Sequence, residues 1–293
     1  MTKIISWNVN GLGSIIKSGF FDFIENEQPD IICLQETKLN EEPVAKLLEP
    51  VAGKYHLDSS SSVRENNYPY SGVATLSRIK PSRTTKTFGS NQFDKEGRIL
   101  VSEYPSFVLY NCYFPTGASG EKYQNMKRAF YKECTESIRN TLASGKEVVL
   151  CGDFNTARDE RDVAEVLRKK IGPGFLPEDR EDIENLFSLG LIDAFRMNNE
   201  DGGHYTWWSS ADFKTKNLGW RIDYFPISPG LKDRVLTCTH RPEIVKDDHC
   251  PVILEISDQE SGNGINQLPM KSIRPRQSRF CAEIEIITKE ESP

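Results

Sequence analysis

Eight short apolar runs, rich in β-branched and aromatic residues and each closed by a polar tip, punctuate this chain of 293 residues. They read "KIISWNVNG", "PDIICLQETK", "SGVATLSR", "RILVSEY", "FVLYNCYFP", "EVVLCGDFN", "RIDYFPIS" and "CPVILEI". Runs of this length, bounded by Gly, Pro and Asn, specify strands. Several are apolar at consecutive positions, so both strand faces must be covered and the sheets lie inside the molecule. Helical periodicity is clearest over residues 121–143 and recurs near 180–189 and 15–27. Many strands with fewer helices predict two packed sheets covered by outer helices. The pattern stops near Ile256, which sets a body over residues 1–257. Residues 258–293 are polar and rich in Gly, Ser and Pro, which predicts a flexible C-terminal tail, with "FCAEIEIITKEESP" alternating well enough for a short docked strand. No internal repeat of 20 to 50 residues is present.

The formal net charge of -6, from 43 acidic against 37 basic residues, removes whole-molecule attraction as the means of holding a polyanion. Nucleic-acid binding then needs a local basic face or a bound cation. The seven cysteines are odd in number, never spaced Cys-x-x-Cys, and mostly set in apolar runs. That pattern predicts reduced core residues of an intracellular protein rather than a zinc site or a disulfide framework. No apolar stretch approaches the ~20 residues that span a bilayer, so no membrane partner is expected. The first run begins at Lys3, which leaves no room for a signal or transit peptide.

The informative residues stand at the strand ends: Asn8, Glu36, Tyr113, Asp153 with Asn155, Asp223, and Asp248 with His249. Most close a run, whereas Asp223 opens "DYFPIS" and the Asp248/His249 pair precedes its strand. If neighbouring strands run antiparallel, these ends gather on one edge. Each has a bland alternative: a turn at Asn8, a solvated end residue at Glu36, a core ring at Tyr113, a helix cap in "GDFN", a surface pair of Asp223 with Arg221, a polar turn before "CPVILEI". Taken together, the alternatives demand a series of independent coincidences. A cluster of carboxylates and amides is hard-oxygen coordination, suited to Mg²⁺ or Mn²⁺, and Mg²⁺ leaves positions open for phosphate oxygens. A lone histidine nearby then serves phosphate or a carboxylate better than the metal. Phosphate-ester cleavage is the chemistry such a set serves.

"SWNVNGL", "PDIICLQETK", "YSGVATLS", "EGRI", "YFPTG", "CGDFN", "GWRIDYF" and "DDHCPVI", in this order over residues 3–257, resemble the exonuclease III class of AP endonucleases. The "GDFN" and "DH-x-P" motifs alone point only to the broader endonuclease/exonuclease/phosphatase superfamily, whereas "LQETK", "YSGVA" and "GWRIDYF" narrow the resemblance to its DNA-repair branch. The resemblance implies a four-layer αββα sandwich, two packed mixed β-sheets flanked by helices, with the site at one end of the sheets. It implies Glu36 as principal metal ligand supported by Asn8 and Asp248, and Asp153 as activator of the attacking water. Asn155 would orient that water, with Asp153 and Asn155 both also able to touch a second metal. His249, held by Asp223, and Tyr113 would contact the scissile phosphate. Trp207, Trp220 and Ile222 match the wall that receives a base-less deoxyribose, and Lys38, Tyr70, Arg98 and Trp208 are expected on DNA.

Two departures bear on DNA contact. Gly13 stands where the family carries arginine, and Thr116 where it carries Asn or Gln. Compensation is expected from Lys38, Arg98, Arg158 or the run Arg168, Lys169 and Lys170. The implied function is Mg²⁺-dependent incision, with Mn²⁺ able to substitute, 5′ to an abasic site in duplex DNA, leaving a 3′-hydroxyl. Removal of blocked 3′ ends is implied with it, and 3′ to 5′ exonuclease activity is left open. The expected setting is a monomer in the nucleus of a eukaryote, or otherwise in the cytoplasm or nucleoid. Two alternatives remain at this point: a less specific nuclease or phosphoesterase of the superfamily, and a non-catalytic DNA-binding or redox partner protein. The tail's partner is not indicated.

Overall fold

The computed structural model describes residues 1–62, 70–90, 92–169, 172–244 and 248–258. All of them belong to a compact unit over Met1–Ser261, and the expected tail lies outside the described residues apart from Asp258. The first sheet holds β1 (Thr2–Asn8), β2 (Ile31–Gln35), β3 (His56–Ser60), β4 (Val73–Ser77), β12 (Val235–His240) and β13 (Val252–Ile256), in the order β12-β13-β1-β2-β4-β3. The second holds β5 (Arg83–Thr85), β6 (Ile99–Glu103), β7 (Val108–Tyr113), β8 (Val148–Asp153), β9 (Ile192–Asp193) and β11 (Pro226–Ile227), in the order β5-β6-β7-β8-β11-β9. The two-residue strand β10 (Asp223–Tyr224) also pairs with β8.

The apolar runs are continuous because both faces of each sheet are covered. Ile4, Ile31, Cys33, Leu109, Val149, Cys151 and Leu254 point between the sheets and form one buried cluster. Their neighbours in sequence, Ile5, Ile32, Leu34 and Ile253, face outward against α1 (Leu12–Lys17), α2 (Phe20–Glu27) and α3 (Glu41–Leu47). On the other side Tyr110, Cys112, Val148 and Leu150 pack against α4 (Glu121–Ala143) and α5 (Pro177–Phe187) through Phe130, Tyr131, Cys134, Ile138 and Ile183. The layers are therefore helix, sheet, sheet, helix, the expected αββα sandwich, and the sheets are mixed.

The helical expectations hold, with two adjustments. The 15–27 segment is two helices, because Gly19 takes a left-handed φ of 98° that breaks the first and caps the second. The helix expected near 180–189 starts earlier, with Pro177 at its first position, where a missing N–H costs nothing. Among the described residues no helix is long and apolar enough to cross a membrane.

Two parallel pairs position the site. The α1–α2 crossover makes β1 and β2 parallel, with Asn8 beside Gln35, and α4 makes β7 and β8 parallel, with Tyr113 beside Asp153. Gly152 permits the second approach: at its φ of 136°, a Cβ would sit 1.8 Å from the Cys112 carbonyl oxygen. Antiparallel β10 then sets Asp223 beside Asp153. Beneath these ends the sheets are joined by a buried polar bridge. Gln35 Nε2 donates to Asn111 Oδ1 at 2.8 Å and to Ser6 Oγ at 3.1 Å, and Asn111 Nδ2 donates to the Ala74 carbonyl at 2.9 Å.

Candidate active site

The polar strand ends meet around one cavity of about 340 Å³, whose lining includes Glu36, Asp153, Asn155, Asp248 and His249 together with Trp207, Trp220 and Ile222. Asn8 is the hub. Its Nδ2 lies 2.9 Å from Glu36 Oε1, 2.8 Å from Asp153 Oδ2 and 3.3 Å from His249 Nε2, while its Oδ1 accepts the Asn10 N–H at 3.0 Å. As placed, Asn8 thus joins the two carboxylates through its amide NH₂ and does not offer them its oxygen. Glu36 follows β2 in a left-handed conformation (φ 50°), which turns its carboxylate back over the sheet edge. Burial alone would raise its pKa, but the Asn8 amide and the Lys38 ammonium, 3.0 Å from Oε2, hold it below the usual carboxylate range.

Asp153, 1% exposed, ends β8. It accepts the Asn155 N–H on Oδ1 at 2.8 Å, and Asn155 Nδ2 lies 3.2 Å from Oδ2 and donates to the Phe114 carbonyl at 2.9 Å. Burial is the strongest influence on this carboxyl, and Asp223 and Glu36 add to it; the opposing attraction of His249 leaves its pKa raised to about 7. His249 Nδ1 sits 2.9 Å from Asp223 Oδ2, and its Nε2 lies 3.7 Å from Asp153 Oδ2. Burial disfavours its charged form, yet the Asp223 and Asp153 carboxylates outweigh it and push the imidazole up to about 10. Tyr113 is 5% exposed, and burial, with Glu36 close by, drives its phenol well above the usual range, so it stays a hydroxyl donor. Asp223 Oδ1 is buried and has no hydrogen-bond partner among the described residues.

Two buried ionic nodes support this surface, and neither stood out in the sequence. Arg221, 0% exposed, pairs through Nε and Nη2 with Asp162 at 2.7 and 3.1 Å and with Asp193 at 2.7 Å. It fixes the segment whose neighbours are Trp220, Ile222 and Asp223. Lys127, from α4, pairs with Asp179 at 2.8 Å and donates to the Asn155 carbonyl at 2.8 Å. Asp179 in turn accepts the Gly174 N–H at 2.8 Å, in the loop beside Trp220. A lysine in an amphipathic helix reads as a solvated residue, and only the tertiary contacts reveal its direction.

Trp207, Trp220 and Ile222 all line this cavity. Trp207 and Trp220 pair through an isolated antiparallel bridge, and their rings stand at 89° with centroids 6.4 Å apart. Trp207 Nε1 donates to Asp248 Oδ2 at 3.1 Å, and Asn10 Nδ2 donates to Asp248 Oδ1 at 3.2 Å. Thr116 also lines the cavity.

The residues expected on DNA fare unevenly. Lys38 sits at the rim, bound to Glu36 and Asn10. Arg98 is not a surface cation. It is 6% exposed, its guanidinium lies 4.7 Å from the Tyr113 ring and 5.4 Å from the Tyr70 ring, and it braces Tyr113. Trp208 is 3% exposed and packs with Tyr205, Ala164 and Cys250 because Gly219 lets the chain pass its indole nitrogen, so it is core. Arg158 is engaged by Glu184 at 2.6 Å, Arg168 donates to the Val163 carbonyl at 3.0 Å, Lys169 is exposed, and Lys170 lies outside the described residues.

Comparison with known proteins places this geometry in a lineage. The chain is 34% identical over 254 residues to a DNA-(apurinic or apyrimidinic site) endonuclease of Dictyostelium discoideum, covering 85% of this chain and 69% of that protein. It is 34% identical over 258 residues to an exodeoxyribonuclease of Bacillus subtilis (strain 168), covering 87% and 99% respectively. A 3′ phosphatase from Neisseria, solved with a product DNA hairpin, superposes with a TM-score of 0.79 at 26% identity over 88% of this chain and 100% of that one. The model of the Endonuclease/Exonuclease/phosphatase family matches residues 5–258, and with the αββα sandwich and the carboxylate-rich cavity at its edge in view, the chain belongs to that family.

Proposed function

We propose that the protein is a DNA-repair endonuclease that hydrolyses the phosphodiester 5′ to an abasic site in duplex DNA, leaves a 3′-hydroxyl, and also clears blocked 3′ ends. The observation that carries this reading is the junction, in one cavity, of a hydrolytic carboxylate and imidazole set with a perpendicular pair of tryptophans. A slot walled by Trp207, Trp220 and Ile222 admits a bare sugar and rejects a nucleotide that keeps its base, and extrusion costs least where no base is stacked. The names of the relatives, which include an apurinic or apyrimidinic endonuclease and an exodeoxyribonuclease, agree with it.

The family is one of metal-dependent nucleases, and the donors suit a hard cation. Glu36, Asp153, Asn155 and Asp248 all line the one cavity, and Asp153 also lies with Asp223 and His249 in a group whose ligand atoms are within 4.8 Å of one another. We assign Mg²⁺, held by Glu36 and Asp248, with Asp153 and Asn155 available to a second ion. When bound, such an ion supplies Lewis-acid stabilisation of charge on the phosphate. The chain's own groups do the rest. Asp153, with a pKa of about 7, is matched to take a proton from water at neutral pH, and Asn155 fixes its orientation. His249, charged and held on Nδ1 by Asp223, presents Nε2–H to a phosphate oxygen, and Tyr113 adds a hydroxyl donor.

The test is incision of a duplex carrying one tetrahydrofuran residue, in Mg²⁺, beside an undamaged duplex and a small phosphomonoester. Cleavage confined to the 5′ side of the lesion is expected. Equal cutting of undamaged DNA, or phosphate release from the small ester alone, would replace this reading with that of a less specific phosphoesterase.

A further inference from the structure

One buried carboxylate is tied to several stretches of the catalytic cavity at once. Asp179, fully buried, takes the Lys127 ammonium at 2.8 Å and Gln124 Nε2 at 2.7 Å on Oδ1. Its Oδ2 accepts the N–H groups of Gly174 at 2.8 Å and Leu176 at 3.1 Å. Three of these donors lead to the cavity lining. Lys127 also donates to the carbonyl of Asn155, which lines the cavity, at 2.8 Å. Gly174 follows Pro173, another lining residue, and a Cβ on it would sit 2.9 Å from the Asn155 carbonyl oxygen and 3.3 Å from the Trp220 ring. Gln124 lies against Gly117, which stands between the lining residues Thr116 and Ala118. A Cβ on Gly117 would meet Gln124 Oε1 at 2.2 Å and the Lys127 side chain at 3.3 Å, so this loop rests directly on the two side chains that reach Asp179.

Both loops are compliant by construction. Residues 116–118 and 173–175 lie outside every helix and strand, and each turns on a glycine with a left-handed backbone, φ 71° at Gly117 and 94° at Gly174. Exclusion by shape needs a wall that does not yield, since a slot that gives way admits what it should reject. What pins the two loops therefore sets how narrow the slot stays. We propose that Asp179 is a positioning residue that fixes the width of this slot, and with it the discrimination between a base-less deoxyribose and a nucleotide that keeps its base. Asp179 is closed off from any substrate and acts only through Gln124, Lys127 and Gly174. An ionised carboxylate can accept all four donors, whereas an amide in its place offers one oxygen and turns an NH₂ group toward the rest. The inference rests on the reading of the site as specific for abasic DNA.

The experiment compares the full wild-type chain with Asp179→Asn and Gln124→Met in Mg²⁺, each assayed below its own melting transition. Values of kcat and KM are taken on a duplex carrying one tetrahydrofuran residue and on the undamaged duplex of the same sequence. Gln124 is half-buried, and Gln124→Met keeps the Lys127–Asp179 pair, so this variant decides the matter if Asp179→Asn does not fold. The ratio of kcat/KM on the lesion to kcat/KM on undamaged DNA is expected to fall about tenfold in Asp179→Asn and about threefold in Gln124→Met. The fall should come from faster cutting of undamaged DNA, with kcat on the lesion held within about twofold. A residue that only supports the fold would slow both reactions alike and leave the ratio where it was. Wild-type selectivity retained in the folded variants overturns this inference alone. Equal cutting of both duplexes by the wild type overturns the abasic-specific reading, and this inference with it.

Discussion

Asn8 contacts Glu36, Asp153 and His249 with one amide nitrogen, and that economy shapes what each neighbour can do. It holds Glu36 and Asp153 close enough to repel, and the repulsion together with burial keeps the Asp153 proton until near neutrality. Removing that charge while keeping the shape is therefore the cleanest probe of the site. Asp153→Asn should lower kcat on an abasic duplex by at least about 10²-fold, within the ~10²–10⁴ range of general-base catalysis, with the thermal transition intact. Steady-state kinetics beside a melting curve decides it, and wild-type turnover in the variant would remove Asp153 from the chemistry.

At the scale of elements, the catalytic strand ends are held from behind by ions that the sheets do not supply. Lys127 brings α4 to the Asn155 carbonyl, where the backbone adopts a left-handed φ of 49°. Both Lys127 and Asp179 are fully buried, so Lys127→Met leaves a carboxylate without its cation, at a cost of roughly 3–5 kcal/mol. Chemical denaturation measures this, and a change within about 0.5 kcal/mol, the range of surface substitutions, would show that the pair is not a support. The end of β12 makes a different prediction. Burial, joined by the charges of Arg221, His204 and Arg196, holds His240 well below the ordinary histidine pKa, so it is neutral in the folded chain. The unfolded chain protonates it near ~6.5, which means stability is intact above that pH and falls as pH drops below it. The melting temperature should decline from pH 7 to pH 5 more steeply in the wild type than in His240→Phe. Parallel curves would assign the decline to other groups.

For the molecule as a whole, the apolar clusters lie between and outside the sheets, and the proposed metal donors line a cavity at their edge. Fold and cofactor should therefore separate. A chelator should abolish incision and leave the folded state, shifting stability only by the binding term, about 2.7 kcal/mol at one hundred times Kd. Unfolding on chelation would make the ion structural. The same separation explains what could be read in advance. Layers, strand runs and the convergence of Asn8, Glu36, Asp153 and His249 were legible because β periodicity and polar strand tips are local signals. Antiparallel pairing brings only some of those ends together, since parallel β1/β2 and β7/β8 do so as well. The ionic nodes at Arg221 and Lys127 were hidden because a buried charge has no local signature. Arg98 and Trp208 were misplaced for a related reason: a cation or an indole near a site motif reads as a ligand contact, and only packing shows that it faces inward.

The pairing of Thr2 with Ile256 puts the first and last strands of the first sheet side by side in its interior. A ribosome making this chain thus releases most of the polypeptide before His249 and the strand that follows it have been synthesised. Until they emerge, neither the pairing with the first strand nor the contact of His249 with Asp223 can form.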